Sequence, residues 1–176
     1  MSILIIDDVP VTRKIIKSFL EDGGYRETIE AQSAEDAFRI LGLYADGNTV
    51  TPPRIDLILM DIVLQGIDGI EACRMIKNNQ RSANIPIVIL TAYSSSEHIE
   101  TAFKAGAIDF VPKPVNKLEL HARVRSILHF KSEVDRLRDR EQHLVETTLK
   151  LERANVLLER LSNSDGLTGI PNRRYF

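Results

Sequence analysis

The chain has 176 residues, 23 basic against 25 acidic side chains for a net charge of −2, and a 43 % hydrophobic fraction. That apolar fraction excludes wholesale disorder, and the near-neutral balance excludes a general nucleic-acid or membrane-surface binder. One cysteine, Cys73, excludes an intrachain disulfide framework, and no stretch approaches the roughly 18 apolar residues a membrane span needs. The N-terminus "MSILIIDD" lacks the basic flank and length of a signal peptide, so a cytoplasmic protein is expected.

The charge falls into zones. Residues 1–116 hold 11 basic and 16 acidic side chains. Residues 117–162 hold 10 and 8, with no glycine or proline and one aromatic, Phe130. The last 14 residues, "NSDGLTGIPNRRYF", regain both glycine and proline.

In chain order, "ILIID" (3–7) reads as a short strand ending in acids. Helix-spaced Val11, Ile15, Ile16, Phe19 and Leu20 follow, stopped by Gly23-Gly24. "ETIEA" reads as a second strand, and Ser33 caps a helix carrying Ala37, Phe38 and Leu41. A polar loop over 44–54 with Pro52-Pro53 leads to "IDLILMD", a strand whose continuous apolarity predicts burial on both faces. A helix is expected around 70–79, with Cys73 as packing. "IPIVILT" is a fourth strand, 94–105 a helix and "AIDFVPKP" a fifth strand. Asn116 caps the next helix, with Glu119 at the capping-box position.

Five β-α repeats in about 120 residues imply a parallel sheet with helices on both faces. Sites in such sheets form at the carboxyl ends of the strands, beside the point where strand order reverses. Those ends carry Asp7-Asp8, Asp61, Thr91 and Lys113. Clustered carboxylates repel one another, and a hard divalent cation such as Mg²⁺ relieves the repulsion. A carboxylate can attack phosphorus and hold an acyl phosphate. Lys113 can then pair with phosphoryl oxygens and Thr91 can donate to them. A single acid at a strand end is ordinarily a solvated residue or a cap; the joint arrangement carries the reading. His98, His121, His129 and His143 show no ligand spacing. The strand-one acids lack the Asp-x-Asp spacing of haloacid-dehalogenase-like phosphatases.

The pieces "IIDD", "DLILMDIVLQGIDG", "PIVILTA" and "AIDFVPKP" resemble a receiver domain of two-component response regulators over residues 1–116. The resemblance implies a flavodoxin-like, doubly wound sheet of five parallel strands in the order 2-1-3-4-5. It implies Asp61 as phosphoacceptor, Asp7 and Asp8 as the acidic pair with Asp8 the direct Mg²⁺ ligand, and a backbone carbonyl of Val63 on the metal. Thr91 becomes the switch hydroxyl, Lys113 the phosphoryl-pairing lysine before a cis Pro114, and Phe110 the switch aromatic. The partner it implies is a sensor histidine kinase or phosphotransfer protein. The loop before strand three is longer than usual, and Val63 and Tyr93 flank the site.

The stretch 117–162 would span about 69 Å as one helix. Leu137, Leu144, Leu151 and Leu158 recur every seven residues, extended backward by Phe130, and predict a parallel coiled coil that makes a homodimer. With leucine at d, the a positions are Val134, Glu141, Thr148 and Asn155; with leucine at a, the d positions are Arg140, Thr147, Ala154 and Leu161. Neither seam is fully apolar, so a few kcal/mol would choose between them.

The tail over 163–176 resembles the opening of a GGDEF, or diguanylate cyclase, domain, whose usual form is D-x-L-T-G-L-x-N-R-R. Asp165, Leu167, Thr168, Gly169, Asn172, Arg173 and Arg174 match, and Ile170 replaces a leucine. No GG[DE]EF signature occurs in these 176 residues. The expectation is the regulatory part of a receiver–cyclase protein, in which GTP binds only through the missing domain and this chain makes no cyclic di-GMP itself. The alternative is a stand-alone regulator whose coiled coil binds a protein partner.

Overall fold

The computed structural model describes residues 1–44, 51–92 and 96–163. Five strands, β1 (Ser2–Ile6), β2 (Glu27–Ala31), β3 (Leu57–Asp61), β4 (Ile87–Thr91) and β5 (Asp109–Pro112), alternate with five helices. The helices are α1 (Pro10–Asp22), α2 (Ala34–Ile40), α3 (Gly69–Asn78), α4 (Ser96–Lys104) and α5 (Lys117–Asn163). All strand pairs are parallel, in the order β2-β1-β3-β4-β5. The parallel strands follow from the β-α repeats, and the flavodoxin-like order is the one the receiver-domain resemblance implies.

Alternation along the strands supplies two cores. Ile3 and Ile5 of β1, Leu57 and Leu59 of β3 and Val88 and Leu90 of β4 face α1 and α5, packing with Ile16, Leu20, Leu120, Val124 and Leu128. Leu4, Ile6, Ile58, Met60, Ile87 and Ile89 face α2, α3 and α4, against Phe38, Cys73, Ile76 and Ala102. Each such side chain contributes about 1.5–3 kcal/mol by leaving water.

Local chemistry sets the helix ends. The Ser33 hydroxyl accepts from the Asp36 N–H (3.2 Å), as expected for the α2 cap. Helix α3 starts at Gly69 because Asp68 caps it, its carboxylate accepting from the Glu71 N–H (2.8 Å), a cap the apolar periodicity did not mark. Asn116 accepts from the N–H groups of Leu118 (2.9 Å) and Glu119 (3.2 Å). Glu119 does not complete the reciprocal half of a capping box, because its carboxylate turns to Arg123 (2.8 Å).

The chain forms two compact units, Met1–Lys131 and Ser132–Phe176, and α5 contributes residues to both. In the second unit Leu137, Leu144, Leu151 and Leu158 are 58–65 % exposed. Among the described residues, no helix is long and apolar enough to cross a membrane.

Candidate functional site

The register brings the carboxyl ends of β1, β3, β4 and β5 to one level. Ile6 pairs with Met60, Asp61 with Leu90 and Thr91 with Pro112. Strand order reverses between β1 and β3, so Asp7, Asp8 and Asp61 stand at the reversal, where such sheets open a crevice.

Asp7 is fully buried, and every polar group it owns is engaged. Oδ1 accepts from the Val9 N–H (2.8 Å), Oδ2 from Lys113 Nζ (2.7 Å), and its carbonyl from Arg13 Nη1 (2.6 Å). Its own N–H donates to the Ala31 carbonyl (3.3 Å). Asp8, half-buried, is different: no hydrogen bond or ion pair to a described residue holds its carboxylate.

Asp61 is 5 % exposed. Its Oδ1 accepts from the Val63 N–H (3.3 Å) and its Oδ2 from Lys113 Nζ (2.7 Å). Burial pushes the Asp61 carboxyl above its ordinary range and the Asp7 charge adds to this, while Lys113 and the Val63 N–H pull the other way. For Lys113, burial works against the ammonium, but hydrogen bonds and charges from Asp61 and Asp7 together hold it above its ordinary range.

One ammonium therefore pairs with two of three carboxylates, each of which offers an oxygen within 4.8 Å of the others. With all three ionised the cluster carries a net −2. All its anionic donors are hard oxygens, and no described residue engages the carboxylate of Asp8. That donor set fits a small hard cation such as Mg²⁺, which takes one or two carboxylates and keeps several waters. It does not fit a soft metal, which would want thiolate or imidazole.

Thr91 is buried at the end of β4, and its carbonyl accepts from the Lys113 N–H (2.7 Å). The Lys113-Pro114 peptide is cis. Phe110, half-buried on β5, stacks edge-on against Phe103 with centroids 6.4 Å apart. The Arg123 guanidinium stands 5.7 Å above its ring and donates to both carboxylate oxygens of Asp109 (2.6 and 2.7 Å). Phe110 therefore sits between a ring and a clamped cation.

Two residues at the site escaped the sequence reading. A Cβ on Gly69 would lie 2.0 Å from the Asp61 carbonyl oxygen, so only glycine fits there. Its N–H donates to the Ile62 carbonyl (2.8 Å), closing the loop that carries Asp61 and Val63. Its sequence signal was a glycine directly after a capping aspartate. Arg13 gave no local signal, since its partners lie just past β1, at Asp7, and on β2, at Glu30.

Val63 is 54 % exposed beside the cluster. Of the positions expected to form a coiled coil, Phe130 is 70 % exposed and Val134 half-buried. Tyr93, the loop residues 45–50, the Leu161 side chain and the tail motif from Asp165 to Arg174 lie outside the described residues.

Residues 3–125 match the family described as the response regulator receiver domain. The chain is 39 % identical over 127 residues to the transcriptional regulatory protein YvrH of Bacillus subtilis, covering 72 % of this chain and 48 % of that protein. It is 33 % identical over 149 residues to a probable cyclic di-GMP phosphodiesterase of Vibrio cholerae, covering 85 % of this chain and 31 % of the other. A match that long runs past residue 131 wherever it starts. The chain thus spans half the length or less of these relatives. Among solved structures, the receiver domain of the sensor histidine kinase PA1611 from Pseudomonas aeruginosa, with a magnesium ion coordinated in its active-site cleft, superposes with a TM-score of 0.62. That match is 29 % identical and covers 73 % of this chain and 97 % of that one.

Proposed function

The chain belongs to the response regulator receiver domain family, and on that footing we propose that Asp61 accepts a phosphoryl group from a histidine kinase or phosphotransfer protein. The carrying observation is the meeting of Asp7, Asp8, Asp61 and Lys113 in one acidic cluster with a single ammonium. In the step, Asp61 Oδ attacks phosphorus in line. A P–O bond to the carboxylate forms, and the bond to the donor nitrogen or oxygen breaks with its electron pair leaving on the donor.

Asp8, Asp61 and the carbonyl of Val63 would hold Mg²⁺, with Asp7 in a supporting place. Asp7 serves less directly because both its oxygens are already occupied. When bound, the metal supplies positive charge against the phosphoryl oxygens. Lys113 exchanges a carboxylate partner for a phosphoryl oxygen. The Thr91 hydroxyl donates to another, and its inward movement leaves space that Phe110 enters. That movement would change the present contacts of Phe110 with the Phe103 ring and with the Arg123 guanidinium above it.

The output passes through α5. Two copies pair in parallel along Leu137, Leu144, Leu151 and Leu158, and receiver rearrangement selects between the two seams those leucines offer. The seam re-aims whatever follows Leu161. From the tail motif we read that segment as a diguanylate cyclase domain making cyclic di-GMP from GTP. The match to a Vibrio cholerae protein named for cyclic di-GMP supports the same messenger. A second reading, a regulator whose coiled coil binds a protein partner, is favoured instead if the gene past Phe176 encodes no GG[DE]EF segment.

The test of the chemistry is mass spectrometry of the whole chain with Mg²⁺ and acetyl phosphate. Wild type gains one phosphoryl mass, and Asp61→Asn loses the product by at least about 100-fold, the scale of removing a nucleophile. Undiminished phosphorylation of that variant at another residue sinks the assignment.

A further inference from the structure

The turn from β1 into α1 carries two of the three clustered carboxylates, yet the helix has no side-chain cap: Val9 occupies the cap position and Pro10 brings no N–H. Something else must set the turn's geometry. Asp7 Oδ1 closes it from one side through the Val9 N–H. Arg13, one turn into α1, closes it from the other, reaching back with Nη1 to the Asp7 carbonyl at 2.6 Å. Its side chain is only 13 % exposed. Its Nε simultaneously donates to Glu30 Oε2 (3.3 Å) on the neighbouring strand β2, and Lys17 Nζ stands 3.5 Å from the other Glu30 oxygen.

The Asp7 carbonyl belongs to the peptide that leads into Asp8. Fixing that oxygen fixes the rotation of the peptide, and hence the direction in which the Asp8 side chain leaves the backbone. Asp8 has no side-chain partner of its own among the described residues to do this. We propose that Arg13, held by Glu30, is a positioning residue for the divalent-cation site: it aims Asp8 by gripping the Asp7 carbonyl. The job suits a guanidinium, which offers two donors in a rigid fork, one for the carbonyl and one for Glu30; a lysine ammonium on a flexible stem does not reproduce that geometry.

The inference rests on the reading of the acidic cluster as a metal site, and its sign separates it from plain electrostatics. Arg13 is a cation near a cation site, so by Coulomb's law alone its removal tightens metal binding. Positioning predicts the reverse. The probe is Mn²⁺, titrated into the whole chain and read by electron paramagnetic resonance as free against bound ion, with the metal-induced rise in melting temperature as a second readout. Arg13→Met should weaken Mn²⁺ binding about tenfold, the scale of losing an outer-shell partner. Arg13→Lys, which keeps the charge and loses the fork, should also bind more weakly than wild type. Arg13→Lys carries the test should Arg13→Met fail to fold, because with the charge kept Coulomb's law alone predicts no change. Wild-type affinity or tighter in Arg13→Met, or in Arg13→Lys where that variant stands in, overturns the role of Arg13. A wild-type chain that binds no Mn²⁺ overturns the metal reading itself, and this inference with it.

Discussion

Leu59 and Leu151 are the same residue type in two different situations. Leu59, in the middle of β3, has no exposed surface, while Leu151, in the second compact unit, is 60 % exposed. The contrast holds for each unit as a whole. In Met1–Lys131 two apolar clusters close on the two faces of a sheet, and the buried carboxylates Asp7 and Asp61 are paired with Lys113. In Ser132–Phe176 the regular apolar feature is a stripe of leucines at seven-residue spacing that the described residues leave open to water. The first unit thus satisfies its own sequence. The second carries a stripe at heptad spacing, the pattern on which the proposed pairing of two copies rests.

Truncations measure the contrast most strongly. Leu59→Ala should cost the first unit about 2–5 kcal/mol in urea unfolding, the usual range for a buried leucine. Leu151→Ala should leave that unfolding unchanged and instead weaken self-association, by about 1–3 kcal/mol per buried leucine at a dimer seam, read by sedimentation equilibrium. Equal destabilisation of the first unit by both would erase the distinction.

A smaller effect sharpens the chemistry of the first unit. Burial raises the Asp61 carboxyl above its ordinary 3.8, so at a pH between the two values the folded state holds a proton that the unfolded chain has released. The ionised group therefore opposes folding. That cost is absent at a pH below the ordinary value, where both states are protonated, and complete above the raised one. Asp61→Asn should consequently be more stable than wild type at pH 7 without divalent cations, by about 1 kcal/mol for each tenfold weakening of the acid on folding. The difference should close as pH falls through the window between the raised value and 3.8. Urea midpoints at several pH values read this directly. Added Mg²⁺ should narrow the gap by stabilising wild type more than the variant.

Much of the first unit was legible because its signals are local or periodic. The runs "ILIID", "IDLILMD" and "IPIVILT" are buried on both faces, so they stay apolar throughout, and the acids ending them are visible against that background. The site residues at strand ends follow from topology, since parallel strands bring their carboxyl ends to one edge. What stayed hidden depends on contacts between distant segments. Gly69 matters because the Asp61 carbonyl passes 2.0 Å from where its Cβ would be, and Arg13 because Glu30 lies beside β1. Glu119 occupies a capping-box position, yet Arg123 and Asp109 complete a network that takes its carboxylate away from the backbone.

The link between the two units is tested most directly by disulfide cross-linking along α5. Cys73 is buried, with its thiol pushed up to about 11 by burial, and is replaced by alanine so that only the introduced thiols report. Asn155→Cys lies in the seam with leucine at d, and Ala154→Cys in the seam with leucine at a. A disulfide forms only when the two Cα atoms come within about 7 Å, so each variant reports its own packing. Cross-linking yields are compared with and without beryllofluoride and Mg²⁺, with the mass of the chain followed by sedimentation. Phosphoryl-like ligation at Asp61 should raise one yield and lower the other. If both yields stay constant while the protein remains dimeric, the helix does not change its seam, and control of the output by that route is wrong.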